Sequence, residues 1–357
     1  MKGFSFPIFK TKSPEGSAVF SLEDPTERKK YFELKAGPEI EKLREFLREN
    51  TFVALLLGPK NSGKGTYTKL FMEAVGSEHV AHISVGDLVR DIHKAIGSDE
   101  EKKKLLEFLR SRYRGFIEVD KIMDVISGRD KITLLPTEVI LALLERKIDE
   151  VGRKAVFIDG FPRNLDQVSY SLYFRSLIGY RDDPDFFVFI DVPEAVIDER
   201  IKNRVVCPRC QTPRSLRLLR TKNIGYDKAT KKFYLICDNI ACGGARMVAK
   251  EGDELGIEAI RDRIEVDAKV MKTLLNLQGV PQIFLRNSIP VVAAGDVVDQ
   301  YEITPSYRYE YDAVADSVRV VEEPWTVTDD EGQEAYSLLP APIGVSLIVQ
   351  IAKALRL

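Results

Sequence analysis

Apolar residues along the chain gather into short runs closed by turn-forming residues. These runs alternate with longer stretches in which apolar positions recur every three or four. The runs are Phe52–Leu57, Ala155–Asp159, Phe186–Asp191 and Pro281–Leu285, with a weaker one at Ala81–Ser84. Their length and continuous apolar character predict buried parallel strands. Between them TEVILALLERKIDEVG and PEAVIDERIKNR read as helices, and PEIEKLREFLREN spaces Ile40, Leu43, Phe46 and Leu47 as one helical face leading into the first strand. Strands alternating with helices in this way predict a doubly wound α/β fold: a parallel five-stranded sheet with helices on both faces and its ligand site at the carboxyl ends of the strands.

Two long stretches break the alternation, Asp87–Leu135 and Val205–Gly252, and insertions at the ligand edge of such a sheet are natural substrate covers. Near the C-terminus the period changes to two. Tyr307, Tyr309 and Tyr311 alternate with Arg308 and Glu310, Val318 and Val320 flank Arg319, and WTVT and QEAYSLL around Asp329–Gly332 suggest a hairpin. The closing IGVSLIVQIAKALRL sets Ile343, Leu347, Ile351 and Leu355 on one helical face. The expected organisation is an N-terminal extension (1–36), core (37–86), a monophosphate-binding helical insertion (87–136), core (137–204), a cysteine-bearing lid (205–252), core (253–290), a β-rich insertion (291–339) and a C-terminal core helix (340–357).

Composition adds exclusions. With 53 Lys plus Arg against 55 Asp plus Glu, the formal net charge of -2 offers no global attraction to nucleic acid or to an anionic membrane. No apolar run approaches the ~20 residues needed to cross a bilayer, and no signal peptide is read at the start. All four cysteines, Cys207, Cys210, Cys237 and Cys242, fall in one region, which suits a metal cluster in a reducing cytoplasm better than scattered disulfides. The tyrosine alternation is read as a half-buried strand pair, since no basic groove accompanies it as a base-stacking platform would need.

The chemistry begins at Gly58-Pro59-Lys60-Asn61-Ser62-Gly63-Lys64-Gly65-Thr66, two glycines four residues apart followed by lysine, between the strand FVALLL and the helix-like TYTKLFMEAV. Such a loop turns successive N–H groups and a helix N-terminus toward one anion, and Lys64 brings a mobile positive charge to the β and γ phosphates. The residue after lysine, often a hydroxyl that reaches magnesium, is Gly65 here, with Thr66 following.

GKGT resembles the phosphate loop of nucleoside-monophosphate kinases. HISVGDLVRD, FIDGFPRNLDQ and DVPEAVIDERIKNR resemble adenylate kinases in the same order, and IEAIRDRI resembles the family's following arginine helix. The resemblance covers roughly residues 52–285 plus the last helix. It implies a monomeric, cytoplasmic kinase carrying out ATP + AMP = 2 ADP reversibly with Mg²⁺. The nucleotide would be cradled by Gly58, Asn61, Ser62, Gly63, Lys64, Gly65 and Thr66 with Arg200 and Arg204, and the monophosphate would meet Val85, Asp87, Arg90, Gly160, Arg163 and Gln167. Lys64, Asp159, Arg163, Arg200, Arg204 and Arg263 would carry the transfer, Asp159 through water-mediated contact with Mg²⁺, and Gln167 would read the adenine edge.

Physical sense supports each carry-over. Asp87 and Arg90 lie one helical turn apart, Arg200 and Arg204 are i, i+4 on one face, and of Arg261 and Arg263 only one can face a common site. Phosphoryl transfer asks the protein for in-line placement and positive charge, and no Cys or His stands in a nucleophile's position, so direct transfer is expected. Cys207-x2-Cys210 and Cys237-x4-Cys242 can place four thiolates around one tetrahedral structural Zn²⁺, as in some bacterial adenylate kinases; a nucleic-acid-binding ribbon and metal-free thiols are the alternatives. Val85 stands where adenylate kinases commonly carry threonine near the base, and Lys60 and Asn61 replace small or proline residues. A kinase for GMP, CMP or UMP therefore stays open, as does a non-catalytic nucleotide sensor or nucleic-acid-binding module.

Overall fold

The computed structural model describes residues 6–14, 17–126, 135–168, 184–250 and 252–357. The five expected strands are present as Val53–Leu57 (β1), Val80–Ser84 (β2), Ala155–Asp159 (β3), Asp185–Asp191 (β4) and Gln282–Arg286 (β5). They form one parallel sheet in the order β5-β4-β1-β3-β2. The chain leaves β1 for one side of the sheet and later returns to the other, so β1 and β3 flank the crevice where the strand order reverses.

Both faces of the sheet are buried, which is why its strands read as unbroken apolar runs. Ala54, Leu56, Phe157, Phe186, Val188 and Ile190 face one core, built with the helices Pro25–Glu49, Lys64–Val75 and Pro340–Ala354. Val53, Leu55, Leu57, Ile158, Phe187 and Phe189 face the other, against the helices Thr137–Val151 and Arg261–Leu275. The C-terminal helix is buried nearly all round, with Val345 and Ile348 enclosed as well as Ile343, Leu347 and Ile351.

The first helix starts well before the segment that its apolar spacing marks out. It begins at Pro25, capped by Asp24, whose side chain accepts from Thr26 and Glu27 N–H, and it bends at Ala36. The bend resets the phase, so Tyr31 and Phe32 bury on the same core as Ile40 and Leu43 although one period does not join them. Ahead of it, Phe6 packs edge-on against Phe284, with ring centroids 5.2 Å apart. Thr11 donates to the fully buried Glu302 at 2.7 Å, and the Tyr31 hydroxyl donates to the other oxygen of that carboxylate at 2.6 Å. The N-terminal stretch and the insertion that follows β5 thus brace each other through Glu302, and also through Asp299, which accepts from Ser13 N–H at 3.2 Å and pairs with Lys35 at 2.8 Å.

That insertion opens with a short helix, Val291–Val297, before turning to strands. Ser306–Asp312 and Ser317–Glu323 form the alternating hairpin, with Tyr309 opposite Val320 and Tyr311 opposite Val318. Val327–Thr328 pairs with Glu334–Ser337, which also takes Ser288–Pro290. The cysteine region folds as two small antiparallel units: Arg204–Val206 with Pro213–Ser215 and Val248–Ala249, and the hairpin of Asn223–Asp227 with Lys232–Ile236. No helix among the described residues is long and apolar enough to cross a membrane.

Candidate active site

At the carboxyl end of β1 the chain runs into the glycine loop and then into the helix Lys64–Val75. Gly63 is the helix N-cap at φ 103°, and a methyl group there would stand 2.7 Å from the Tyr67 ring, so only glycine fits. At Gly58 a side chain would press against the Ile190 carbonyl at 3.0 Å. The loop is thus locked between β4 and its own helix. Gly65 lies in the first helical turn, where a methyl would stand 3.6 Å from the His82 ring, and Thr66 is exposed. Burial lowers the proton affinity of His82, against the pull of Asp159 and Asp87, and its Nε2 is enclosed without a hydrogen-bond partner among the described residues.

Lys64 curls back over the loop, donating to the Gly58 and Pro59 carbonyls at 2.8 and 2.9 Å, and its Nζ lies 3.7 Å from Asp159 Oδ1. Asp159 ends β3, with Leu56 on one neighbouring strand and Ser84 on the other. Gly58, Lys64, Asp159, Gly160, Arg263 and Asp267 line one small cleft. Arg263 reaches it from the helix Arg261–Leu275 and pairs with Asp267 at 2.8 Å, whereas Arg261 turns to Glu258 at 2.5 Å and to Glu194. Burial raises the proton affinity of Asp267, and Arg263 and Lys64 oppose the rise.

Arg200 and Arg204 approach the loop from the other side, off the helix Glu194–Lys202 and the strand after it. Arg200 donates to the Asn61 carbonyl at 3.3 Å and to Asn287 Oδ1 at 3.0 Å. Arg204 donates to Asn61 Oδ1 at 3.0 Å and holds Asp253 by two bonds of 2.6 and 2.5 Å. Burial, and then the Arg263 cation, pull Arg163 below the ordinary arginine range; desolvation, and then Arg204 and Lys250, do the same to Lys60. Cations that destabilise one another's charge mark a place where an anion binds well. Ser62 is fully buried and its Oγ has no partner among the described residues.

Of the residues expected to meet the monophosphate, Asp87 and Arg90 pair with each other on an exposed helical turn. Val85 is buried, 3.6 Å from where a Gly160 side chain would begin. Gln167 is committed inside its own loop: its Oε1 accepts from Arg163 N–H at 2.7 Å and its Nε2 donates to Thr137 at 3.3 Å. The structure thus gathers Lys64, Asp159 and Arg263 in one cleft and Arg200 and Arg204 on the loop beside it, while Arg163 feels the charges of both Arg263 and the exposed Arg90.

Three supporting residues escape a reading of the sequence alone. Asn287, fully buried, holds Arg200 while donating to Tyr67 Oη at 3.2 Å and to the Leu338 carbonyl at 3.0 Å. Asp253 holds Arg204 across a gap of about fifty residues, which no local spacing announces. Asp267 went unread too, although its place one helical turn beyond Arg263 was the signal that could have found it.

The four cysteines are free thiols whose Sγ atoms all lie within 4.8 Å of one another. Cys210 and Cys237 sulfurs are 3.7 Å apart; four sulfurs ~2.3 Å from one tetrahedral ion would stand about 3.8 Å apart. The Thr212 hydroxyl and N–H draw Cys210 down to about 6, and burial pushes Cys242 up to about 12. The donor set is placed to bind a metal.

Comparison with known proteins fits this geometry. A family model described as an AAA domain matches residues 57–210. The adenylate kinase of Thermotoga neapolitana is 32% identical over 157 residues, 44% of this chain and 60% of that protein. The adenylate kinase of Kosmotoga olearia is 27% identical over 223 residues, 62% of this chain and 84% of that protein. The adenylate kinase of Hydrogenobaculum sp. is 30% identical over 190 residues, 53% of this chain and 72% of that protein. The chain belongs to the adenylate kinase family. It spans 60% of the length of the Thermotoga relative, and 28 to 32% of positions agree with the Thermotoga and Fervidobacterium enzymes. The glycine loop, Arg163, Arg200 and Arg204 lie within the residues that the AAA-domain model matches, whereas Arg263 and the hairpin Ser306–Glu323 lie beyond them.

Proposed function

We propose that this protein is a nucleoside-monophosphate kinase that transfers a phosphoryl group from ATP to AMP, reversibly. The observation that carries the reading is the shared cleft of Lys64, Asp159 and Arg263 beside a glycine loop gripped by Arg200 and Arg204. In this reading Lys64 and the loop N–H groups hold the donor's outer phosphates, and Arg200 and Arg204 move from Asn61 to phosphate oxygens. Arg163, Arg263 and Arg90 take the acceptor phosphate. Positive charge on both sides of the moving group stabilises the spread of negative charge in the transition state. Substrate positioning and water exclusion fall to the segments 87–136 and 205–252, acting as acceptor-binding insertion and lid.

Asp159 suits Mg²⁺, which is commonly held by one or two carboxylates together with substrate phosphates, and its oxygen lies at the cleft beside Lys64. An ion held there would supply positive charge that offsets the negative charge of the substrate phosphates. Zn²⁺ suits the four thiols; a closed four-sulfur shell leaves no open position, so its part is to hold the lid's two small units together.

The test is ADP formation from ATP with AMP, GMP, CMP and UMP in turn, with Mg²⁺ present. AMP should be the preferred acceptor; turnover with another monophosphate alone would reassign the substrate, and ATP binding without transfer would reject the kinase reading. Lys64→Ala should lower kcat by roughly 10²–10³-fold or more with the thermal midpoint nearly unchanged. A rate equal to wild type would remove Lys64 from the reaction.

A further inference from the structure

Residue 61 is an asparagine at φ 67°, a left-handed backbone that glycine or asparagine tolerates best. Its position in the loop gives its backbone and side chain separate tasks. The carbonyl accepts from Arg200, and Oδ1 accepts from Arg204. Because Oδ1 faces the Arg204 guanidinium, the orientation of the amide is fixed, and Nδ2 must point the other way. Nδ2 is enclosed and has no hydrogen-bond partner among the described residues. The far sides of both arginines are occupied, Arg200 by Asn287 and Arg204 by Asp253, so neither guanidinium is free to swing at random.

Two oriented N–H bonds without an acceptor inside a protein cost on the order of 1–3 kcal/mol, and such groups call for an explanation. Here the surroundings supply one. The neighbouring Ser62 Oγ also lacks a partner, and Lys60, Lys64, Arg200 and Arg204 surround the loop, so the missing acceptor is an anion.

We propose that Asn61 is a specificity-determining side chain of the donor site: its Nδ2 donates to a phosphate oxygen of the nucleoside triphosphate while its two oxygens set the resting positions of Arg200 and Arg204. The proposal rests on the kinase reading above and deepens it, assigning to one side chain a task that loop backbone alone performs where the residue is glycine. No bond is made or broken in this role. The side chain aligns the donor phosphates and the arginines that close on them, so its effect falls on the triphosphate and leaves the acceptor monophosphate alone.

Two variants of the full chain separate the tasks. Asn61→Gly keeps the backbone conformation and the carbonyl for Arg200 but removes the amide. Asn61→Asp keeps an acceptor for Arg204 and replaces the donor by a carboxylate oxygen. Steady-state rates are measured with ATP and with AMP as the varied substrate, alongside calorimetric ATP binding to each variant. Asn61→Gly should raise KM for ATP about tenfold, the equivalent of ~1.4 kcal/mol, with KM for AMP within twofold of wild type. Asn61→Asp should raise the ATP value further, since it turns an oxygen toward the phosphate. An ATP KM and affinity within twofold of wild type in Asn61→Asp would overturn the proposal, as would equal changes for both substrates. If wild-type protein transfers phosphate to no monophosphate, the kinase reading fails separately, and calorimetric ATP binding still decides the role of Asn61.

Discussion

The two arms proposed to close over the substrates are held in very different ways. The cysteine-bearing arm is pinned from several sides. Its small core of Val205, Cys207, Leu235, Cys237, Cys242 and Met247 takes in Tyr309 from the distant hairpin. The Tyr309 hydroxyl donates to the Leu216 carbonyl at 2.6 Å, Tyr307 N–H donates to the Arg217 carbonyl at 2.7 Å, and the Tyr226 and Tyr311 rings stack 4.2 Å apart. Lys228 and Asp316 add an ion pair at 2.9 Å. On the acceptor arm, Ile92, Leu105, Leu109, Ile122 and Met123 form a core of their own with Val139 and Leu143 of the helix Thr137–Val151. An Arg112–Glu145 pair at 2.6 Å reinforces that attachment. Arg90, proposed to take the acceptor phosphate, pairs among the described residues with Asp87 one turn away.

The contrast teaches where each arm's stability comes from. The acceptor arm is helical, with local contacts and an ordinary apolar core. The lid is made of short strands with few apolar residues, and it relies on cross-links: the thiol cluster, the Arg204–Asp253 pair and the borrowed tyrosines. Small β units with little core need such staples.

The sharpest way to break the comparison is to remove the zinc proposed for the thiol cluster. Structural zinc in small peptides contributes on the order of 10 kcal/mol to folding, and the lid has little else at its centre. Cys207→Ser with Cys210→Ser should abolish zinc binding, expose 205–250 to rapid amide exchange and to protease, and leave exchange across β1 to β5 and 85–126 as in wild type. Metal analysis and exchange mass spectrometry read both. A lid equally protected without zinc would show that the tyrosine hairpin alone holds it.

Next in size is the paired comparison of Arg204→Ala with Arg90→Ala. Asp253 is 8% exposed, and stripping its partner leaves a buried carboxylate unpaired, a loss of about 3–5 kcal/mol. Arg204→Ala should therefore lower Tm by several degrees as well as raise KM for ATP. Arg90, exposed and paired with an equally exposed Asp87, should leave Tm unchanged and raise KM for the monophosphate by about tenfold or more, since a charged hydrogen bond is worth roughly 1.5–3 kcal/mol. Equal thermal losses in the two variants would erase the distinction between the arms.

The sheet was legible because both its faces are buried: Ala54 and Leu56 serve one core, Val53 and Leu55 the other, so the runs stand out without alternation. The glycine loop was legible because its backbone requirements leave glycine no substitute at residue 63. The start of the first helix was not, because a bend at Ala36 shifts the apolar phase between Phe32 and Ile40. Nor were Asn287 and Asp253, polar residues in ordinary loop contexts whose partners lie 87 and 49 positions away. The tyrosine alternation announced a hairpin but not its destination, since period two says which side chains share a face and nothing of what that face meets.

That destination supports the most delicate test. Tyr309→Phe removes one hydroxyl and leaves the ring against the cysteine core, so it deletes the bond to the Leu216 carbonyl and little else. A typical hydrogen bond contributes about 0.5–1.5 kcal/mol, and here it is one of several contacts in the tether. The expected result is a small gain in amide exchange confined to 204–236, with Tm within about two degrees and KM for ATP changed less than about threefold. Tyr113→Phe is the counterpart on the acceptor arm, where the hydroxyl accepts from Ile117 N–H at 3.4 Å within one short turn. Because that bond spans only four residues, its loss should not reach the lid. If Tyr309→Phe loosens the lid and Tyr113→Phe does not, the hairpin is a working tether; if exchange in 204–236 is unchanged in both, the hairpin merely rests on the lid, and the stability of that arm must come from the thiol cluster and the Arg204–Asp253 pair.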